Sequence, residues 1–474
     1  MKPDIRALRK LKRKYSKNPD DRGVALVKKL LLSYSPGWLI VWVLRKYFVK
    51  SDYKAAREST KFFELSNMTY GAGKRLKTQR LLMIALRLLG DRLPKSYISL
   101  LRSAIAGTLK DPPTRNSLSN SILSATKEIQ VNVFDASHWY QLSRGLFSLG
   151  YFRAAWVARE NSLDLSISES LIPGANSTAL QRGIEVNIER GLPESDDFLT
   201  HSYLDVKDSF NSEHASYFSI VNHTSAKFQS ATAVSENDGE HVFHEMIKGR
   251  SVAIVGPSPI QGEYGTEIDA HEIVIRIKFA GRENLPEKKF LGERCDVNFY
   301  GNSELASILK LGSDQFVHET LRGPKIVLSY RYSSDLECDI KVVNLQGDNI
   351  LFRNNPLAGV RVLFAVVKLQ PRKVKLFGFD FYASKSDYHK KLNSFLQTSS
   401  YVLGHNKLEA DNLKEISKAY RSVALLRHDP VSNFCFAQNL YKAGLFTAEP
   451  YCTSILELTP YQYVERLEEM LGDW

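Results

Sequence analysis

The sequence predicts an α/β fold with a mostly parallel sheet and helices on both faces for the C-terminal half, preceded by an all-α domain of helical hairpins. Beyond residue 246, short β-branched runs alternate with helical patterns. Between residues 54 and 230, apolar side chains recur at helical spacing. A polar stretch without periodicity, 231–245, is predicted to be the linker between the two regions.

Residues 1–53 form a basic leader with a short apolar segment. The segment Trp38–Leu44 is much shorter than the eighteen or so residues that a membrane span needs. Lysine and arginine before a Trp-rich apolar patch favour binding to an anionic membrane surface. A basic surface helix followed by a core helix is the alternative. The basic positions that carry this argument are Lys10, Lys12, Arg13, Lys14, Lys28 and Lys29.

Composition limits the classes of partner. The 474 residues suggest two domains, and the net charge of +12 suits nucleic acid, acidic lipid or a phosphorylated substrate, or simply a basic solvated surface. Aromatic residues fall on apolar stripes rather than between basic residues, so we expect no nucleic-acid partner. The four cysteines show no metal-ligand spacing, which predicts neither a disulfide framework nor a zinc site and favours a cytoplasmic location. They are Cys295, Cys338, Cys435 and Cys452.

The region 54–230 is predicted to be helical throughout. Its clearest apolar stripe runs from Trp139 to Leu149 and is followed by Gly150-Tyr151-Phe152. This pattern resembles one helix-turn-helix unit of a tetratricopeptide array, but there is no clean 34-residue period, so irregular hairpins are expected. Such regions more often dock partners or membranes than carry catalysis.

The region 246–474 is predicted to be a Rossmann-like domain. Its helices are expected at Val360–Leu369, at Leu408–Tyr420 and, as an amphipathic C-terminal helix, at Thr459–Leu471. The predicted strands are Ser251–Val255, Ile273–Ile277, Val297–Tyr300, Lys325–Ser329, Lys341–Asn344, Val374–Phe377 and Ser422–Leu426.

Three patches follow predicted strands or open a helix, where an α/β sheet binds its ligands. They are 256–258, 354–359 and 378–382. A dinucleotide site is disfavoured because the turn after the first strand lacks the second glycine of GxGxxG. Histidines occur further on, and Asp429 is placed to orient His428 while Asn433 fixes the turn.

The residues around these patches resemble the sialyl motifs of animal-type sialyltransferases, over the C-terminal half only. Gly256, Ser258, Tyr264, Gly265, Ile268, Asp269, His271, Val274, Arg276, Gly292 and Arg294 match the large motif. The small motif is matched from Asn355 to Phe379 and the third motif at Tyr388-His389. The last motif is matched by His405 with Glu409.

The resemblance implies a metal-independent glycosyltransferase that moves an acidic sugar from a CMP-activated donor to a hydroxyl of a glycan or glycolipid, without a further cofactor. It implies that His405 is the general base, with His428 an alternative from its position, and that His389 stabilises the phosphate leaving group. The predicted donor-binding residues are Gly256, Pro257, Ser258, Arg276, Lys278, Asn355, Ala358, Gly359, Gly378, Phe379 and Tyr388.

Some positions depart from the family pattern. Pro257 and Lys278 replace asparagines that contact the nucleotide, and Leu357-Ala358 replace a Ser/Thr pair. Kdo or another ulosonic acid therefore stands beside sialic acid as the donor sugar. The family's cysteine pair is absent, which implies a bacterial or otherwise cytoplasmic relative. The basic leader would place it peripherally on the inner face of the plasma membrane. The alternative of a different class is a non-catalytic helical scaffold with a degenerate transferase domain.

Overall fold

The structure, a computed structural model, describes residues 94–100, 112–191, 212–221, 238–281, 288–329, 340–345, 351, 356–384 and 429–471, apart from short gaps inside these ranges. The chain divides into two compact units, Met1–Ile98 and Ser99–Trp474. Nearly all described residues belong to the second unit. None of the helices described in these ranges has the length and apolarity that crossing a membrane requires.

In the described ranges from residue 112 onward, a layer of helices precedes the sheet. Trp139 is fully buried in its central hairpin, and its indole Nε1 donates a hydrogen bond to the carbonyl of Val131 (2.9 Å). Gly150 makes the hairpin turn with a φ of 82°, so the predicted helix-turn-helix is confirmed. The helices are α1 Pro112–Lys127, α2 Ala136–Ser148, α3 Phe152–Ser170, α4 Ser177–Arg190, α5 Ser212–Val221 and α6 Asp238–Ile247.

A seven-stranded parallel sheet forms the centre of the second half, in the order β5-β4-β3-β2-β1-β6-β7. All five residues of β2 and four of the five in β1 are buried. Because successive side chains point to opposite faces, both faces of the sheet are covered. The strands are β1 Ser251–Val255, β2 Ile273–Ile277, β3 Val297–Phe299, β4 Ile326–Ser329, β5 Val342–Asn344, β6 Lys373–Phe377 and β7 Thr447–Ala448.

Helices connect these strands and complete an all-parallel, Rossmann-like α/β fold, which confirms the predicted fold class for this half. They are α7 Gly265–Ala270, α8 Lys288–Leu291, α9 Asp314–Val317, α10 Ala358–Lys368, α11 Pro430–Lys442, α12 Pro450–Leu456 and α13 Pro460–Leu471. A π-helical turn, His318–Arg322, continues α9.

Six predicted strands form within one residue of their expected bounds. The predicted strand Ser422–Leu426 and helix Leu408–Tyr420 lie outside the described residues. Strand β7 was not expected, because two residues are too few to show a period. The C-terminal helix α13 confirms the predicted amphipathic helix.

The helical layer and the C-terminal helices pack together within one compact unit. Arg153 in α3 donates from Nε (3.0 Å) and from Nη2 (2.9 Å) to Oε1 of Glu468 in α13. Its backbone N–H donates to Oε2 of the same carboxylate (2.8 Å). Helix α6 begins at Asp238 and therefore overlaps the predicted linker 231–245. Its Phe243 and Ile247 are buried, so this helix packs against the rest of the unit. The predicted domain boundaries at residues 53, 230 and 245 remain predictions.

Candidate functional site

The sheet has one point at which the strand order reverses direction. Strand β1 pairs with β2 on one side and with β6 on the other. Ligands of open α/β sheets bind outside the carboxyl ends of the strands at such a point. The turn after β1 and the turn after β6 meet there: the N–H of Gly256 donates to Phe377 O (2.7 Å), and that of Ser258 donates to Gly378 O (3.0 Å). Two of the predicted patches are thus in direct contact.

The third patch joins them through an aromatic ring. Phe379, which follows β6, lies between Gly256 and Gly359 in the first turn of α10. A Cβ added to Gly359 would be 2.2 Å from Cε1 of Phe379, and one added to Gly256 would be 2.3 Å from the carbonyl oxygen of Gly378. The two glycines are therefore needed for close packing. They bring the start of α10 against both turns.

Asp380 lies beneath these turns and is completely buried. Its Oδ1 accepts hydrogen bonds from the hydroxyl of Ser258 (3.1 Å) and the N–H of Tyr382 (3.0 Å), and its Oδ2 accepts one from the hydroxyl of Ser384. Phe381 and Tyr382 have φ of 49° and 67°, a left-handed conformation that side chains seldom adopt. The carboxylate thus fixes a strained turn and connects it to the turn after β1.

Arg276 was predicted to contact the donor, and in the structure its side chain donates hydrogen bonds to backbone carbonyls. It is 2% exposed. Its Nε donates a hydrogen bond to Arg294 O and its Nη2 donates one to Leu291 O, and each distance is 2.7 Å. Burial lowers the pKa of its guanidinium, against the smaller opposing effects of Cys295 and Asp269. The arginine therefore orders the segment around 291–294 from inside the sheet.

Lys278 follows β2 at the same edge in a left-handed conformation, with a φ of 58°. Its Nζ lies 2.5 Å from Oε1 of Glu304, and both side chains are 15% exposed. The ammonium is therefore already matched by a carboxylate. A phosphate would have to share it with Glu304.

The start of α10 is held by the following helix. The N–H of Leu357, which precedes α10, donates to Oδ1 of Asn433 in α11 (2.6 Å). The amides of Ala358 and Gly359 lie in the first turn, where a helix supplies no acceptor of its own for the N–H groups. Amides in the first turn of a helix can bind an anion. The same edge therefore carries hydrogen-bond donors as well as the two turns.

Asp429 is the N-cap of α11, and its role in orienting His428 stays a prediction because His428 lies outside the described residues. Its Oδ1 accepts from Ser432 N (3.4 Å), and its Oδ2 accepts from Arg159 Nη1 (2.6 Å). Both oxygens are thus engaged by α11 and by the helical layer. Asn433 does fix the turn as expected, because its Nδ2 donates to Asp429 O (3.1 Å).

Several predicted site residues lie outside the described residues. They are Asn355, Tyr388, His389, His405 and His428. Pro257 is half-buried in the turn after β1. His271, a match to the large motif, is buried with Nδ1 2.8 Å from Glu267 O.

Sequence reasoning missed the contact between Ser258 and Asp380 and the contact of Arg159 with Asp429. The first pair could have been found, because both residues directly follow strands that become neighbours. The second pair could not, because 270 residues separate its members.

The helical layer also carries a groove of about 500 Å³. Its lining includes Trp156, Glu160, Arg190, Lys442 and Tyr461, from α3, α4, α11 and α13. It lies away from the meeting point of β1 and β6. Among the described residues, no group of three or more His, Cys, Asp or Glu side chains is arranged to hold a metal ion.

Comparison of the chain with models of protein families, with curated proteins and with solved structures gives no match.

Proposed function

We propose that the chain is a glycosyltransferase that transfers an acidic sugar, sialic acid or a related ulosonic acid, from a CMP-activated donor to a hydroxyl of a surface glycan. One observation carries the proposal. The turns 256–258 and 378–379 and the start of α10, which the resemblance to sialyl motifs assigns to the donor, meet at the reversal point of a parallel sheet.

The transfer reaction requires groups that stabilise the phosphate leaving group and a base that deprotonates the acceptor hydroxyl. The bond from the sugar to the CMP phosphate breaks, and the phosphate leaves with the bonding electrons. Amides of Ala358 and Gly359 and the ammonium of Lys278 are the described groups suited to that charge. A histidine takes the proton of the acceptor hydroxyl as that oxygen attacks the anomeric carbon. His405 is the first candidate, with His428 as the alternative and His389 as the group that assists the leaving phosphate.

The proposed function also implies a donor, an acceptor and a cellular location. The donor is a CMP-activated acidic sugar, with CMP-Kdo beside CMP-sialic acid, and the acceptor is a glycan or glycolipid. The enzyme would work in the cytoplasm, where the basic residues of 1–53 would hold it to the anionic inner face of the plasma membrane. The donor needs no metal, since its leaving group is a stable anion.

A second candidate is a non-catalytic scaffold in which the helical layer binds a partner and the transferase-like domain has lost its substrate. One observation favours it: the ring of Phe379 fills the space between Gly256 and Gly359, so core packing alone accounts for both glycines. The ion pair between Lys278 and Glu304 also favours the scaffold, because Glu304 neutralises the ammonium that a transferase would use to bind the donor phosphate.

Release of CMP separates the two candidates. The purified chain would be incubated with CMP-sialic acid or CMP-Kdo and a panel of glycan acceptors, and free CMP would be measured. A transferase releases CMP at a rate that depends on acceptor, and His405→Ala or His428→Ala identifies the base by loss of at least a hundredfold in kcat. Absence of release with every donor would favour the scaffold.

A further inference from the structure

A buried ionic cluster joins the helical layer to the helix that begins at the edge of the sheet. Arg159 in α3 binds Glu189 of α4 through Nε–Oε1 and Nη2–Oε2 contacts, each 2.8 Å. Its Nη1 donates to Oδ2 of Asp429 (2.6 Å), and its Nη2 also donates to Ser432 Oγ (2.6 Å). The side chains of the three ionic residues are at most 3% exposed. One guanidinium therefore holds two elements of the chain at once.

Such a cluster is an expensive way to attach two elements. Removing three charges from water costs several kcal/mol for each ion, and apolar side chains of similar volume often stabilise a protein as well or better. What the guanidinium adds is direction, since its planar fork fixes the angle and distance of each carboxylate. The cluster thus fixes where the start of α11 lies relative to α3 and α4.

A chain of contacts leads from the cluster to the candidate site. Asp429 has a φ of 39° and caps α11. Asn433, one turn later, donates to the carbonyl of Asp429 and accepts the N–H of Leu357 (2.6 Å) at the start of α10. Three consecutive contacts therefore connect Arg159 with Leu357, the residue directly before α10.

We propose that Arg159 is a positioning residue of the candidate active site: through Asp429 and Asn433 it sets the start of α10 and the N-cap of α11. The helical layer is then a structural part of the site. This inference rests on the proposed transferase function for its effect on turnover. Its structural half, the connection to α10, stands independently of that function.

The chain offers a matched control. Arg153 lies in the same helix and also forms an ion pair with the C-terminal region, through Glu468 in α13. That pair is more exposed, with side chains 21% and 10% exposed, and does not involve α10 or α11. Arg153→Lys therefore tests loss of an arginine fork in α3 without loss of the connection to the site.

The experiment uses the full chain with Arg159→Lys, Arg159→Met and Arg153→Lys. Arg159→Met leaves two buried carboxylates without their cation and can unfold the chain, whereas Arg159→Lys keeps the charge and loses the fork. Hydrogen exchange of the Leu357 amide reports on the connection in each folded variant. Release of CMP from the donor gives kcat and KM.

We expect exchange at Leu357 to be about tenfold faster in Arg159→Lys and unchanged in Arg153→Lys. We expect kcat to fall about tenfold to a hundredfold in Arg159→Lys, with a smaller change in KM for the donor, because misplacement by about 1 Å costs this much. Arg159→Met, if folded, should lose more.

Two results would overturn the inference: unchanged exchange at Leu357 in Arg159→Lys, or faster exchange with an unchanged kcat in an enzyme that turns over its donor. A wild-type chain that releases no CMP contradicts the transferase instead. Faster exchange in Arg159→Lys would then still support the connection between Arg159 and α10.

Discussion

The hydroxyl of Ser258 donates a hydrogen bond to the buried carboxylate of Asp380 over 3.1 Å. The bond joins the turn after β1 to the turn after β6, at the point where the order of the sheet reverses. A completely buried carboxylate depends on such donors, because burial without partners is costly. These contacts of Asp380 therefore hold the turn after β6 against the turn after β1.

Ser258→Ala removes one donor from this carboxylate. We expect the free energy of unfolding to fall by about 1–3 kcal/mol, because a buried acceptor loses a partner. Chemical denaturation of the variant measures this. Ser121→Ala is the control, since Ser121 bonds the carbonyl of Ser117 at an exposed position and should change stability by less than about 0.5 kcal/mol. Equal effects of the two substitutions would contradict the importance of the Asp380 contact.

Gly359→Ala tests the packing of α10 against the turn after β6. The new Cβ would lie 2.2 Å from the ring of Phe379, so we expect a loss of about 1–3 kcal/mol from overpacking. Phe379→Leu should relieve this clash. A double-mutant cycle measured by chemical denaturation should therefore show a coupling energy of about 1 kcal/mol between the two positions. Additive effects would mean that Gly359 and Phe379 do not constrain each other.

Asp429 should make the protein sensitive to acid. Burial alone would raise the pKa of its carboxyl, but the charges of Arg159 and then Arg144 lower it below the ordinary value. Because the folded pKa is lower than the unfolded one, the stabilisation is complete above the unfolded pKa of about 4 and is lost as pH falls through the folded pKa.

Asp429→Asn should thus cost about 3 kcal/mol or more at pH 7, because Arg159 loses a buried partner. The free energy of unfolding of the variant should also depend less on pH below 4 than that of the wild type. Denaturant titrations between pH 3 and pH 7 measure both effects. Parallel pH profiles for the two proteins would contradict the assignment.

Asp135 caps helix α2 and adds a smaller, more local effect. Its Oδ1 accepts the N–H of His138 (2.8 Å), and its Oδ2 lies 2.7 Å from the imidazole Nδ1 of the same residue. Partial burial opposes the shift, but the hydrogen bonds and charge of His138 lower the pKa of Asp135 to about 2.

Asp135→Ala should cost about 1 kcal/mol, as is usual for loss of an N-cap. The contribution should be present above the unfolded pKa of about 4 and fade as pH falls towards 2. Asp135→Asn is the control, because asparagine caps helices as well as aspartate does. A loss of the same size in Asp135→Asn would show that the cap is not the cause.

Much of the sheet could be predicted from sequence because buried parallel strands appear as short β-branched runs between turns. The meeting of residues 256–258 with residues 378–379 was also predictable, since both follow strands. The orientation of Arg276 was not, because a basic residue at a strand end does not reveal whether it faces a ligand or its own backbone. The cluster around Arg159 depends on three distant helices, and no local pattern indicates it.

Binding of CMP distinguishes a CMP-sugar site from other nucleotide sites and from no site. Thermal unfolding of the full chain would be measured with CMP, UDP, GDP and NAD, each at the same concentration, in the wild type and in Gly359→Ala. We expect that CMP alone raises the melting temperature of the wild type, and that the variant, although folded, responds less. No rise with CMP, or an equal rise with all four nucleotides, would contradict a CMP-sugar site at the carboxyl ends of β1 and β6.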